Sequence, residues 1–158
     1  MDVKIKQKLD GILKKESFRR AAEDEKAKQQ DDAKRAREEE HQAAVKSWQT
    51  GRSHLNAAVK NVNENENMVA SGLSLAVKQG SKPDKEMIDC VIIELVPKSR
   101  AFARSLIVNV DHIGVVRPMV SNTNTTSTAH EAFTADESNP DLFCGIITDY
   151  IEQALANE

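Results

Sequence analysis

Apolar residues recur every seven positions through the middle of the chain, in sequence that is otherwise polar. This heptad pattern runs from about Val45 to Lys78, and its asparagine-rich centre, residues 61–67, allows a break. A stripe with this spacing lies along one side of a helix, and packing against a second helix removes it from water. The pattern therefore predicts a coiled-coil-like helix that associates copies of the chain. The residues expected to form that oligomer contact are Val45, Trp48, Leu55, Val59, Val62, Val69 and Leu73.

Four residues within the heptad leave a second interpretation open. Arg52 and Glu66 fall at positions that a coiled coil normally fills with apolar side chains. Gly51 and Gly72 each disfavour a helix interior, by about 1 kcal/mol relative to alanine. The same stripe could therefore pack on a sheet of its own chain instead of on a second copy.

The N-terminal part of the chain has a different pattern. Residues 3–18 place apolar side chains on one helical face among lysines, which predicts a short basic amphipathic helix. Such a helix suits docking to an acidic partner or to an anionic membrane surface. Alternatively, it begins a long helix whose apolar face meets a sister chain. Residues 19–47 contain almost only small, charged and amide side chains, which predicts either a solvated helix or a charged disordered linker.

The C-terminal part of the chain predicts a small antiparallel sheet. Three segments rich in β-branched residues form the expected meander: residues 88–96, 102–110 and 113–120. Asp111 and His112 suit the turn between the second and third strands. Pro118 cannot donate to a sheet ladder, so the third strand is expected at an edge or ends early. Residues 121–128 predict a polar loop, and residues 130–134 a short additional strand.

The last predicted element is a helix from Pro140 to about Ala156, with Asn139 as its N-cap. Its apolar face is expected to cover one face of the sheet, with the heptad helix on the other. The predicted fold class is therefore α+β: a long charged N-terminal helix with coiled-coil-like heptads, then a small antiparallel sheet of three or four strands covered by a C-terminal helix. The expected segments are a basic or charged extension, 1–44, the heptad helix, 45–81, and a small α+β domain, 82–158.

Charge is unevenly distributed, although the net charge is only −3. Residues 1–20 carry seven Lys and Arg against three Asp and Glu, whereas residues 118–158 contain no Lys or Arg. The two ends are expected to attract each other, within or between chains, over the roughly 8 Å that physiological salt allows. Charged residues make up 30% of the chain and aromatic residues 4%, which favours extensive solvated helical surface over an enzyme core.

No motif for catalysis, nucleotide binding or metal binding is present. The four histidines are far apart, the two cysteines form no CxxC pair, and the six glycines are isolated, so we expect no cofactor and no metal. An enzyme that uses Cys144 with His112 is an alternative, but a packed thiol at Cys144 is the simpler interpretation. Nucleic-acid binding is disfavoured because few aromatic side chains are available for base stacking.

These patterns together predict a non-enzymatic interaction or assembly protein that forms a homo-oligomer, preferably a dimer, and holds protein partners. The alternative is a small adaptor or chaperone-like module that recognises its partner through the third strand, around residues 115–120, and the loop after it. Membrane-surface contact by residues 1–20 is a secondary expectation. The sequence has no apolar stretch typical of a membrane span or a secretory signal, which favours a cytoplasmic location.

Overall fold

A computed structural model describes residues 2–98, 104–122 and 125–156. By its internal contacts the chain divides into two units, Met1–Glu40 and His41–Glu158. Helix α1, Val3–Glu64, contributes residues to both units. The second unit also contains the short helix α2, Glu66–Ser71, and the C-terminal helix α3, Pro140–Leu155.

Within the described residues, six strands form one antiparallel sheet. In chain order they are β1 (Ser74–Gln79), β2 (Asp89–Val96), β3 (Ser105–Val110), β4 (Val115–Ser121), β5 (Thr126–Thr128) and β6 (Phe133–Thr134). Strands β1 to β4 are neighbours in that order, and both β5 and β6 pair with β4.

This architecture confirms the predicted α+β class and the order of its parts. The meander β2–β4 lies where the β-branched segments predicted it, and the first residues of its second predicted strand, 102–103, lie outside the described residues. The sheet has two strands more than the expected maximum of four, because β1 forms within the predicted heptad helix and β5 forms within the expected polar loop. Its three Ser and Thr side chains are exposed, so no apolar residue marks this strand in the sequence.

In the first unit, residues 3–40 form part of α1. Of the two structures predicted for the charged stretch, a solvated helix or a disordered linker, the chain therefore adopts the helix. Residues 2–40 are exposed except for the half-buried Glu16. Glu16 pairs with Arg19 at 2.6 Å and with Arg20 at 3.3 Å, and Arg19 also reaches Glu23 at 3.1 Å. Each such pair stabilises an exposed helix by about 0.2–0.5 kcal/mol, so pairs of this kind support helix in sequence that has no core to pack against.

The heptad helix ends earlier than predicted. Asn65 interrupts it, and its side chain accepts the N–H groups of Asn67 and Met68 at 2.9 and 3.4 Å to begin α2. Gly72 then takes a left-handed φ of 75°, which ends α2. The prediction of helix through residues 74–78 is therefore wrong. As strand β1 these residues gain a full ladder with β2, and Leu75 enters the core.

One hydrophobic core holds the second unit together, and it lies on a single face of the sheet. Alternate residues of β3 and β4 are buried there, and their neighbours face the other side. Helices α1 and α3 both pack on this face, and the rings of Trp48 and Phe143 meet edge-on with centroids 6.4 Å apart. The prediction that the two helices cover opposite faces is therefore wrong. Each strand of this meander offers one mainly apolar face, so both helices share it.

Pro118 lies inside the sheet and not at the predicted edge. It pairs with Val108 of β3, while β5 and β6 pair with β4 on either side of it, at residues 119–121 and 115–116. The carbonyl of Pro118 accepts the N–H of Ala129 at 3.0 Å. The nitrogen and carbonyl of one strand residue point to the same side. The missing N–H therefore falls in the gap between the two short strands, where no ladder bond is lost.

Candidate protein-interaction surfaces

Four apolar side chains form an exposed stripe on the first turns of α1, called here the N-terminal stripe. They are Ile5, Leu9, Ile12 and Leu13, with exposed fractions of 58%, 41%, 55% and 57%. Because successive helical residues are rotated by about 100°, these four side chains fall within an arc of about 100°. Contiguous exposed apolar side chains with polar borders mark an interaction surface more often than isolated ones do.

Positive charge borders the N-terminal stripe. The helical rotation places Lys8 and Lys15 along one side of it and Lys6 along the other. Glu16 falls on the axis of the stripe, but the guanidinium of Arg19 holds the pKa of Glu16 below its ordinary value and balances its charge. The stripe is thus apolar in its centre and cationic along its edges.

The seven residues predicted to associate copies of the chain do not form one exposed surface. Trp48, Leu55 and Val59 lie in the chain's own core, Val45, Val62 and Leu73 are half-buried, and Val69 is exposed. The least exposed heptad side chains therefore pack within a single chain, as in the second interpretation that the sequence left open. The role of the seven residues between copies stays a prediction.

Arg52, the cation within the heptad, binds a carboxylate on the sheet. Asp89 at the start of β2 accepts the indole N–H of Trp48 at 2.8 Å, Arg52 at 2.9 Å and the amide of Gln79 at 2.8 Å. Burial acts to raise the pKa of Asp89, but these three donors outweigh it, and the pKa lies below its ordinary value. The ionised carboxylate thus ties α1 to the first two strands. Sequence spacing did not indicate this contact, because its members lie on three separate elements.

A groove of about 400 Å³ lies between the end of α1, α2 and α3. This groove, called here the α3 groove, is lined by Asn61, Val62, Asn65, Met68, Cys144, Thr148 and Ile151. The two aliphatic residues, the methionine and the cysteine are half-buried, while the amide and hydroxyl side chains stand at the rim. The α3 groove therefore combines an apolar floor with uncharged polar edges.

The segments that form the α3 groove are rich in carboxylates, although its seven lining residues are uncharged. Residues 58–71 and 140–156, which form its walls, contain one lysine, Lys60, and five carboxylates, for a net charge of −4. The five are Glu64, Glu66, Asp141, Asp149 and Glu152. Burial raises the pKa of the Cys144 thiol, and the nearby charge of Asp141 raises it further.

Cys144 has the environment of a packed thiol. Its Sγ lies 3.9 Å from the carbonyl oxygen of Ala58, and its other polar neighbours are Asn61 and Asp141. None of the three is an imidazole, and the raised pKa opposes formation of the thiolate that a nucleophile requires. His112 is exposed in the turn between β3 and β4. This geometry gives no support to the Cys144 and His112 alternative.

A histidine and a serine that are far apart in sequence meet in the second unit. Nδ1 of His54 lies 3.3 Å from Oγ of Ser138. The Ser138 hydroxyl donates its proton to the carbonyl of Ala135 at 2.7 Å, and the residue is only 7% exposed. A nucleophilic serine directs its proton to the base and faces solvent. The pair therefore stabilises the 3₁₀ turn Ala135–Glu137 instead of forming a catalytic site.

The sheet face opposite the core carries a second, smaller apolar surface. Ile92, Ile107 and Met119 are aligned in one cross-strand row on β2, β3 and β4, and all three are half-buried. This row, called here the outer row, includes the part of β4 that the adaptor alternative assigned to a partner.

The border of the outer row is cationic at its exposed ends. Lys78 and Lys98 approach Glu94 at 2.8 and 3.1 Å, and Arg117 approaches Asp111 at 2.6 Å. Lys78, followed by Lys98, holds the pKa of Glu94 below its ordinary value. The two carboxylates are nearly buried while the three cations are more than half exposed, so positive charge faces outward.

Within the described ranges, no helix is both long and apolar enough to cross a membrane. In the same residues no group of three or more His, Cys, Asp or Glu side chains is arranged to hold a metal ion. Comparison of the chain with protein-family models, with curated proteins and with solved structures gave no match. Its function therefore has to follow from the surfaces described above.

Proposed function

We propose that this protein is a non-enzymatic assembly protein whose copies associate through the N-terminal stripe. The observation that carries this proposal is the joint exposure of Ile5, Leu9, Ile12 and Leu13 on one helical face. The compact second unit already buries its own apolar face with α1 and α3, so it does not need a second copy to complete its core. The N-terminal stripe does need a partner surface to leave water.

The size of the N-terminal stripe indicates what kind of partner it needs. Burying an aliphatic side chain completely contributes about 1.5–3 kcal/mol, so four side chains that are about half exposed offer on the order of 3–6 kcal/mol. Association of two molecules costs on the order of 4–15 kcal/mol. The stripe alone therefore gives weak association, and a partner surface of complementary shape and charge has to supply the rest.

A second candidate is an adaptor that binds its partner through the outer row. Its support is the half-buried row Ile92, Ile107 and Met119 with outward-facing cations around it, which suits a partner with an acidic surface. In this candidate the N-terminal stripe has no part in recognition. The assembly proposal ranks first because the stripe exposes larger fractions of its side chains than the outer row does.

The assembly proposal is tested by the solution mass of two double variants of the full chain. Leu9→Glu with Ile12→Glu places charge in the centre of the N-terminal stripe. Val3→Glu with Phe18→Glu is the matched control, because it makes the same charge change at exposed apolar residues outside the stripe. Light scattering over a range of concentrations should give the unchanged chain and the control a mass above the 17.5 kDa of one chain, and the stripe variant a mass of 17.5 kDa.

Two results would contradict assembly through the stripe. In the first, the unchanged chain keeps the mass of one chain at every concentration up to the millimolar range. In the second, the stripe variant associates as strongly as the control. Either result would favour the adaptor, whose partner is a different protein.

A further inference from the structure

We infer that the α3 groove of one copy receives the N-terminal stripe of another copy. This inference rests on the proposed assembly function and names the surface that the stripe meets. It requires that the groove and the stripe have matching apolar surfaces, similar lengths and opposite charges. It also requires that other surfaces of the chain match the stripe less well.

The apolar parts of the two surfaces agree in length. From Ile5 to Leu13 the stripe extends about 12 Å along its helix, and the α3 wall of the groove from Cys144 to Ile151 extends about 10 Å, at about 1.5 Å per helical residue. The stripe supplies exposed aliphatic side chains, and the groove supplies a half-buried apolar floor between two helical walls. This is the pattern of a helix that lays its apolar face in a groove.

The segments that carry the two surfaces have opposite net charges of similar size. Residues 1–20, with seven cations and three carboxylates, carry a net charge of +4, whereas the segments that include the groove walls, 58–71 and 140–156, carry −4. On α3, the helical rotation places Asp141 and Glu152 along the outer rim of the groove. Cations that border the stripe, such as Lys8 and Lys15, would meet these carboxylates when the stripe enters the groove. Complementary charge of this kind also fixes the orientation of a docked helix.

The other surfaces of the chain fit the stripe less well. Two N-terminal stripes facing each other would bring +4 against +4. Residues 19–44 contain no large apolar side chain, so that part of α1 cannot bury the stripe. The outer row is apolar but has exposed lysine and arginine along its border, which would repel a cationic helix. Unlike these three surfaces, the α3 groove combines an apolar floor with carboxylates on the helices that form it.

Thr148→Arg tests the groove in the full chain. Thr148 is exposed at the rim, and its hydroxyl donates to the carbonyl one turn earlier, that of Cys144, at 2.7 Å. Arginine there would cover the groove and repel the cationic helix. Ser53→Arg is the matched control, because Ser53 is also exposed on a helix, donates to the carbonyl of Gln49 at 3.1 Å and undergoes the same charge change. The groove variant should have the mass of one chain, and the control the mass of the unchanged protein.

Mixing two variants shows whether the stripe and the groove are the two halves of one contact. The stripe variant, Leu9→Glu with Ile12→Glu, keeps an intact groove, and Thr148→Arg keeps an intact stripe. Each alone should have a mass of 17.5 kDa, and their equimolar mixture should reach twice that value and no more. If Thr148→Arg associates like the unchanged chain while the stripe variant does not, the groove inference is overturned and the assembly proposal stands.

Labelling of Cys144 gives an independent measurement in the unchanged protein. Cys144 lines the groove, whereas Cys90 is buried in the same unit and serves as the internal reference. Each chain supplies one stripe and one groove, so at a total chain concentration about tenfold above the dissociation constant roughly three quarters of the grooves are occupied, and alkylation of Cys144 should slow about fourfold. The stripe variant should show no such concentration dependence. A Cys144 rate that stays constant while the mass of the unchanged chain rises would overturn the inference.

Discussion

At the scale of single residues, Asp89 is the clearest case of a side chain whose role depends on distant sequence. It lies at the start of a strand that was predicted from its β-branched residues, but its partners Trp48, Arg52 and Gln79 come from α1 and β1. Arg52 counted against the heptad because a cation weakens a coiled-coil seam. In the folded chain Arg52 is paired with the nearly buried carboxylate of Asp89, and this pair joins α1 to β2.

Asp89→Asn should lower the free energy of unfolding by about 1.5–3 kcal/mol at neutral pH, which is the usual range for hydrogen bonds to a charged group. The side-chain amide of the variant would place its N–H groups against Trp48, Arg52 and Gln79, whose own donors now share the carboxylate. Urea unfolding followed by Trp48 fluorescence measures the change. Asp24→Asn, an exposed aspartate on α1, is the control and should change stability by less than about 0.5 kcal/mol.

The pH dependence of the stability lost in Asp89→Asn follows from the direction of the Asp89 pKa shift. The pKa of Asp89 in the folded chain lies below its ordinary value of 3.8, so the carboxylate stabilises the fold above that value. This stabilisation is lost as the pH falls through the ordinary pKa to the folded one. The difference in stability between the unchanged chain and Asp89→Asn should therefore shrink as the pH falls below about 5. A difference that is constant over this range would show that Asp89 does not act through its charge.

Packing in the core explains why position 51 is a glycine. A Cβ at this position would lie 2.7 Å from Cε3 of Trp48 and 3.3 Å from Oγ of Ser138. Gly51→Ala gains about 1 kcal/mol of helix propensity, but the overlap in a packed core costs about 1–3 kcal/mol. We expect a net loss of stability and a shifted Trp48 emission. Gly145→Ala is the matched control on α3, where nothing lies within 4 Å of the added methyl group, and it should be stabilising.

At the scale of elements, α3 was predicted closely because its signals are local. Asn139 caps the helix by accepting the N–H of Leu142 at 2.8 Å, and Pro140 occupies the first turn. Its buried residues repeat with helical spacing within sixteen positions. The meander β2–β4 was predicted for the same reason, since β-branched residues and a turn signal are adjacent in sequence. Local patterns of this kind do not depend on what packs against them.

The cap of α3 can be tested by one substitution. Asn139→Ala removes the acceptor for the N–H of Leu142 and should lower the free energy of unfolding by about 1 kcal/mol, within the usual range of about 0.5–2 kcal/mol for a lost cap. Asn139→Asp keeps an acceptor and should retain the stability of the unchanged chain. Urea unfolding of both variants measures the difference. Equal stability of the alanine and aspartate variants would contradict a capping role.

The end of α1 was predicted poorly because the signals there conflict. The heptad spacing continues through Val69 to residue 76, but Asn65 and Gly72 interrupt the helix, and the residues after Gly72 pair with β2. A heptad favours helix only where a partner helix is present. Within this chain β2 supplies a complete antiparallel partner, so strand β1 forms.

At the scale of the whole molecule, two kinds of apolar surface differ in their exposure. The heptad side chains Trp48, Leu55 and Val59 join α3 and one sheet face in a core formed by a single chain. The N-terminal stripe remains exposed, and the proposed α3 groove contact would give each copy one stripe and one groove. A contact between two different surfaces of identical chains closes into a dimer or ring, or continues as an open chain. The concentration dependence of the mass distinguishes a closed assembly from an open one.

The sequence alone determined the α+β class, the meander, the capped C-terminal helix and the opposite charges of the chain ends, because each of these depends on neighbouring residues or on composition. It also predicted the amphipathic turns that carry the N-terminal stripe. Tertiary structure decided which face of the sheet both helices share, where α1 stops, the partners of Asp89 and the existence of the α3 groove. Each of these depends on side chains far apart in sequence, whose meeting is set by the packing of one shared core.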